Sequence, residues 1–178
     1  MRKITFGGAS SLDNYFARKN DAVDWLMWSD EMTPVMADYW KTVDVILMGR
    51  RTYEFALNQS GKNPYSGIKT YVFSRTLKNS GDENIEIISE NAVEFVRDLK
   101  RAEGNDICLM GGGNLAKTFF EADLIDEIGF NIHPILLGSG VPLFYELNRQ
   151  IDLELIDCRQ FKNGCVLVTY RVKREENL

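Results

Sequence analysis

Three short apolar runs in this chain each end in residues suited to holding an anion. Ile107-Cys108-Leu109-Met110 runs into Gly111-Gly112-Gly113, and Asn114-Leu115 then opens an amphipathic pattern. Glycines there let main-chain N–H groups approach a ligand closely, and the helix start adds unpaired donors and the positive end of a dipole. Val43-Asp44-Val45-Ile46-Leu47-Met48 ends in Gly49-Arg50-Arg51-Thr52, where guanidinium forks and a hydroxyl join the glycine. Lys69-Thr70-Tyr71-Val72-Phe73 ends in Ser74-Arg75-Thr76, again hydroxyl and guanidinium. Taken singly, each is also an ordinary tight connection or a solvated basic helix start. Together they place phosphate-binding chemistry at three strand ends, which predicts one extended ligand with several phosphates, best matched by a dinucleotide with an extra phosphate.

The elements that must position these groups follow from periodicity. Strands are expected near 2–8, 43–48, 68–73, 85–88, 106–110, 126–132, 152–160 and 165–172, and helices near 33–42, 51–58, 91–102 and 113–121. Alternation of strand and helix predicts a three-layer α/β/α arrangement, a mostly parallel mixed sheet with helices on both faces. Asn163-Gly164 between two apolar runs predicts a C-terminal antiparallel hairpin. The 178 residues read as a single domain over 1–178, with surface loops at 58–67 and 78–84 and a frayed charged end from Lys173 to Asn177.

With these pieces in view, the chain resembles the dihydrofolate reductase-like superfamily, most closely the branch containing the C-terminal domain of the riboflavin-biosynthesis reductase. The resemblance rests on Ser11-Leu12-Asp13-Asn14, Gly49-Arg50-Arg51-Thr52-Tyr53-Glu54, Ser74-Arg75, Gly111-Gly112-Gly113, Leu124-Ile125-Asp126-Glu127-Ile128 and Pro134-Ile135-Leu136-Leu137-Gly138-Ser139-Gly140-Val141-Pro142-Leu143-Phe144. It implies an NADPH-dependent reductase. The turns at Gly49-Arg50-Arg51-Thr52 and Gly111-Gly112-Gly113, with Asn114 and Leu115, would hold the pyrophosphate, and Arg50, Ser74 and Arg75 would reach the 2′-phosphate. It also implies a homodimer, with the Pro134–Phe144 stretch and the last strands as the expected interface.

The substrate side departs from dihydrofolate reductases. The carboxylate expected on the helix before the Gly49 strand is not clearly present, since Asp30 and Glu31 precede that helix and Asp38 suits its outer face. The tyrosine usual three positions after the triple glycine is Ala116, and Asn14 stands where the riboflavin branch usually has glycine. Asp13, Asp30 and Glu31 are the candidate groups for orienting substrate or relaying a proton. Asp13 binds a substrate hydroxyl or amine, or else satisfies turn amides. Trp25 and Trp28 offer flat faces for a heterocycle, or else fill core. The expected reaction is hydride transfer to a small heterocyclic or ribityl-type substrate, like that of the 5-amino-6-(5-phosphoribosylamino)uracil reductase. A dihydrofolate or pterin reductase and a non-catalytic NADP(H)-binding protein are the rivals.

Composition narrows the rest. A net charge of −5 and pI near 5.0 oppose general nucleic-acid binding. No run reaches the ~20 apolar residues of a membrane span, and the start reads as a strand rather than a signal, so a cytoplasmic protein with a small-molecule substrate is expected. Cys108, Cys158 and Cys165 lack metal spacing and read as buried thiols. His133, the single histidine, reads as structural, and no metal site is expected.

Overall fold

The computed structural model describes residues 1–60, 65 and 67–174. Its elements, in chain order, are β1 (Ile4–Ser11), β2 (Tyr15–Ala17), α1 (Met32–Lys41), β3 (Val43–Gly49), α2 (Arg50–Ser60), β4 (Lys69–Phe73), β5 (Ile85–Ile88), α3 (Ala92–Arg101), β6 (Asp106–Gly111), α4 (Gly113–Glu121), β7 (Glu127–His133), β8 (Val141–Pro142), β9 (Leu153–Gln160) and β10 (Val166–Val172). Eight strands form one sheet in the order β5-β4-β3-β6-β1-β7-β10-β9. The pairings from β5 through β7 are parallel, and β10 is antiparallel to both β7 and β9. The mixed sheet and the closing hairpin are those expected from the sequence.

Near-continuous apolar runs in the central strands are what burial on both faces demands. In β3, Val45 and Leu47 enter one core cluster while Ile46 enters the other together with Met48. The first cluster receives Val96 from α3 and Ala116, Phe119 and Phe120 from α4. The second receives Tyr53 from α2, with Tyr39 and Trp40 of α1 packed against it. Helices therefore cover both faces. Phe6 of β1, fully buried, meets Phe16, Phe120, Phe130 and Phe144 edge to face at centroid distances of 5.0 to 6.0 Å. Contacts of this geometry add about 0.5–1.5 kcal/mol each beyond area burial, so they anchor the β1 end that leads into the cleft described below.

Three local features differ from the sequence expectation. The first strand continues to Ser11, because its distal half pairs residue for residue with β7, from Gly7 with Gly129 to Ser11 with His133. A second, two-stranded sheet pairs β2 with β8, Tyr15 with Pro142 and Ala17 with Val141. Segments so short and so far apart in sequence carry no local periodic signal. Cys108 and Cys165 are buried and free, but Cys158 is exposed on the edge strand β9. Burial pushes the Cys108 thiol up to about 11.

The hairpin turn behaves as its sequence requires. Gly164 takes φ +87°, and Phe161 N–H donates to the Cys165 carbonyl at 2.9 Å. His133 is buried, with Nδ1 3.1 Å from the Asn131 carbonyl oxygen and its ring edge-on to Trp25. That is the structural role read for it. The centre of the 58–67 loop and the end of the chain beyond Arg174 lie outside the described residues. Arg174 itself is held in place, its guanidinium 2.5 Å from Asp126 Oδ1.

Candidate active site

The glycine turns after β3 and β6 sit side by side because the two strands are sheet neighbours. A Cβ built on Gly49 would lie 3.6 Å from Gly112 N, and one built on Gly111 or Gly112 would lie 3.8 Å from Thr52 Oγ1. Gly111 takes φ +115°, a conformation L side chains rarely adopt, and the Gly111–Gly112 peptide is cis. At Gly113 a Cβ would stand 2.6 Å from the Leu143 carbonyl oxygen. The bare backbone there is what lets α4 start against the 143–145 segment.

Two helices thus begin at adjacent strand ends, α2 at Arg50 and α4 at Gly113. The α4 N-cap, Gly112, has no side chain to cap the helix, and the first intrahelical bonds run from Leu115 and Ala116 to the Gly112 carbonyl. The N–H groups of Gly113 and Asn114 precede those bonds and remain available to an anion. Arg50 and Arg51 add exposed positive charge. Arg50 lies 3.6 Å from Glu54 Oε1, and Arg51 lies 2.5 Å from Asp21 Oδ1.

These turns open into a cleft of about 730 Å³, within the ordinary range for a small-molecule site. Gly49, Arg50, Arg51, Thr52, Gly112, Gly113, Asn114 and Leu115 all line it. Gly111 stands just behind, facing Phe16 and Thr52. Ser74 and Arg75 follow Phe73, which lines the cleft, but are not in its wall themselves. The Ser74 hydroxyl oxygen accepts from Thr76 N–H at 3.2 Å and Leu77 N–H at 2.9 Å, so it shapes its own turn, while Arg75 is exposed.

None of the carboxylates and tryptophans expected on the substrate side forms part of this wall. Asp13 accepts from the Ser11 hydroxyl at 2.6 Å and from the N–H groups of Leu137 at 3.0 Å and Gly138 at 2.7 Å. Those donors, the Ser11 hydroxyl foremost, hold its carboxyl below the ordinary aspartate range. Its partners in the structure are thus a hydroxyl and turn amides. Glu31 accepts from Lys162 N–H at 2.9 Å, which draws its carboxyl down, and so ties the approach to α1 to the β9–β10 hairpin. Asp30 is exposed beside it. Trp25 is buried against His133 and Trp28 is 87% exposed. From that segment the cleft takes Leu26 instead.

The wall also contains residues that sequence reasoning did not single out. Asp21, Phe16, Val23, Val141 and Tyr145 are the main ones. Phe16 and Val141 arrive through the β2–β8 pairing, for which no local signal exists. Asp21, at φ +65°, occupies a left-handed turn, and an Asn-Asp pair is a recognisable sign of such a turn. Among the described residues no cluster of three or more His, Cys, Asp or Glu could hold a metal, and no helix is long and apolar enough to cross a membrane.

The chain as a whole is similar to known proteins. The family model for the RibD C-terminal domain matches residues 2–167. The uncharacterised protein YyaP of Bacillus subtilis (strain 168) is 34% identical over 181 residues, covering 96% of this chain and 95% of YyaP. A putative riboflavin biosynthesis protein from Shewanella sp. PV-4 has a similar structure, with a TM-score of 0.84 at 30% identity over 98% of this chain and 100% of that one. A dihydrofolate reductase from Enterococcus faecalis complexed with NADP(H) and RAB-propyl shares the fold, with a TM-score of 0.69 at 14% identity over 97% of each chain.

Proposed function

The chain belongs to the RibD C-terminal domain family, and from that premise we propose that it is an NADPH-dependent reductase acting on a small heterocyclic or ribityl-type acceptor. The observation that carries this reading is the meeting of two glycine-led helix starts, α4 without a side-chain cap, and two arginines in one cleft. Backbone N–H groups at Gly113 and Asn114 and the Thr52 hydroxyl suit a pyrophosphate, and Gly49, Gly111 and Gly112 leave room for it. Gly49 pairs with Phe73, so Arg50 and Ser74 follow neighbouring strand ends, and there they would take the 2′-phosphate with Arg75. Neither Arg50 nor Arg51 is buried, so each can leave its carboxylate partner at little cost.

When bound, the nicotinamide would supply a hydride to an electron-poor carbon. The protein's part is to hold the acceptor against it and to exclude water with Phe16, Leu26 and Val141. Asp13, pinned by its turn, positions the 137–138 segment rather than moving a proton.

Titration of the chain with NADPH and NADH, followed by tryptophan fluorescence, tests the cofactor assignment. NADPH should bind more tightly. Arg50→Ala should lose about 10- to 100-fold in NADPH affinity and most of the preference, as expected for one charge-assisted contact. Equal, weak binding of both nucleotides would remove the assignment. Tight NADPH binding without turnover on any acceptor would support the non-catalytic reading instead.

We also propose a cytoplasmic homodimer. Its support is the edge strand β9, where Leu153, Leu155 and Ile156 are exposed. Sedimentation at micromolar concentration should give a dimer, and a lone 20.4 kDa species would exclude it.

A further inference from the structure

Polar side chains reach the cleft from α2 and α4 and, at Asp21, Tyr65 and Tyr145, from the segments beside them. Its strand floor is made differently, from Gly8 and Ala9 of β1 and Met110 of β6. Ala9 pairs in register with Asn131 of β7, and Asn131 pairs on its other side with Leu167 of β10. Leu167 packs with Met32, Val35 and Met36, so this row lies beneath α1. Asn131 keeps partial exposure although strands flank it on both sides, and so do Ala9 and Leu167. Solvent therefore reaches the row, and Ala9 joins it to the cleft.

Two buried polar atoms meet here. Among the described residues, Asn131 Oδ1 accepts no hydrogen bond and Trp25 Nε1 donates none. Burial pushes the Cys165 thiol up while hydrogen bonds from Asn163 and Asn131 oppose it, which gives the Asn131 amide nitrogen a partner and leaves its oxygen without one. Trp25 is 6% exposed and stands edge-on to His133, their ring centroids 5.2 Å apart, and the residue after it, Leu26, lines the cleft. His133 lies two residues beyond Asn131 on the same face of β7, with Nδ1 3.1 Å from the Asn131 carbonyl oxygen. Buried polar atoms are nearly always paired, so an acceptor and a donor left open in one place point to a ligand that fills both.

Resting on the reductase reading above, we propose that Asn131 and Trp25 recognise the acceptor, Asn131 Oδ1 accepting from a ring N–H and Trp25 Nε1 donating to a carbonyl oxygen of the same ring. The acceptor this selects is a flat ring with an amide-type edge, a C=O beside an N–H, that enters past Ala9. Such an edge fills both atoms at once. A hydrocarbon edge, or one whose nitrogen carries an alkyl group, would bury Asn131 Oδ1 still unpaired. Charge carried elsewhere on the acceptor, a phosphate included, stays in the open cleft with Arg50 and Arg51.

Calorimetric titration of the chain, first with NADP⁺ and then, at saturating NADP⁺, with oxindole and N-methyloxindole, tests this. The two probes share a flat ring and a carbonyl and differ in the methyl group that replaces the N–H. The parent chain should bind oxindole at least about tenfold more tightly than its methylated form. Asn131→Leu should abolish that preference, and Trp25→Phe should weaken oxindole binding about tenfold. Equal affinity of the parent chain for the two probes would overturn the proposal, and this comparison decides even where a variant does not fold. A preference that survives in Asn131→Leu would overturn it too, as would no binding of either probe while NADP⁺ binds, and unchanged oxindole binding in Trp25→Phe would remove Trp25 from the pair. Failure of NADP⁺ itself to bind would instead bring down the reductase reading and this inference with it.

Discussion

Asp21 and Arg51 join the two walls of the cleft through a 2.5 Å ion pair, one from the loop after β2 and the other from the first turn of α2. Both side chains are about half exposed, so solvent screens the pair and its worth is no more than about 1 kcal/mol. On the proposed reading the carboxylate would compete with a bound phosphate for Arg51 without locking it away. Asp21→Asn should tighten NADPH binding about 3- to 10-fold, with the gain shrinking as salt is raised. Weaker binding in this variant would mean that Asp21 aims Arg51 or contacts the nucleotide directly.

The glycines of the β6–α4 turn should separate by role. Alanine at Gly113 would drive a Cβ to 2.6 Å from a main-chain oxygen and 2.9 Å from the Tyr145 ring. That overlap should cost about 2–3 kcal/mol of stability. Alanine at Gly112 meets nothing closer than Thr52 Oγ1 at 3.8 Å, and its φ of −81° is ordinary. Gly112→Ala should melt close to the parent yet bind NADPH about tenfold more weakly, because its methyl group occupies the phosphate's approach. Denaturant unfolding beside nucleotide titration of the two variants distinguishes packing from binding.

That contrast also shows how far the sequence could be read. Gly111, Gly112 and Gly113 are legible as a strand-to-helix turn because strand, glycine and helix signals are all local. Their division of labour is not, since the demand on Gly113 comes from Leu143 and Tyr145, some thirty residues on, and only packing reveals it. The same reason hides the substrate wall. Phe16 and Val141 become neighbours through the Ala17–Val141 pairing, and one turn of chain either way would leave no trace in periodicity. Nearness in sequence to the cleft is what makes Asp13, Asp30 and Glu31 candidates. Asp13 and Glu31 prove to be committed to main-chain donors, of Leu137 and Gly138 and of Lys162, that no sequence pattern announces.

Asp13 offers a test with a definite sign. Its folded pKa is depressed, by the Ser11 hydroxyl first and then by the Leu137 and Gly138 amides. Such a group stabilises the fold at pH values above the ordinary aspartate pKa, near 4, and that contribution is lost as pH falls through the lower folded value. Asp13→Asn should therefore melt lower than the parent at pH 7, and the gap should close in strong acid. If the proposed reductase activity is present and Asp13 only holds its turn, the variant should keep the parent's pH profile. A profile that loses a limb would return Asp13 to the chemistry.

Lys100 tests how the base of the sheet is held. It is 5% exposed, donates to the Leu124 carbonyl oxygen at 2.7 Å and pairs with Asp126, which also accepts from Ile4 N–H at 2.8 Å. Burial, more than any neighbour, pulls the Lys100 pKa down, so the ammonium sits there at a desolvation cost that the Asp126 contact offsets. Lys100→Met removes that cost along with the pair, and Asp126 keeps Arg174 and the Ile4 amide. The net loss should be about 2–3 kcal/mol, or roughly 5–10 °C in Tm for a chain of this size. Asp126→Asn should do more harm, since it strands the buried ammonium and weakens the Ile4 contact that starts β1. If the pair acts as a unit, the double variant will be less destabilised than the two single losses added together, by about 1–3 kcal/mol. Additive losses would instead assign the cost to packing around each side chain separately, with no coupling between the α3 end and the start of β7.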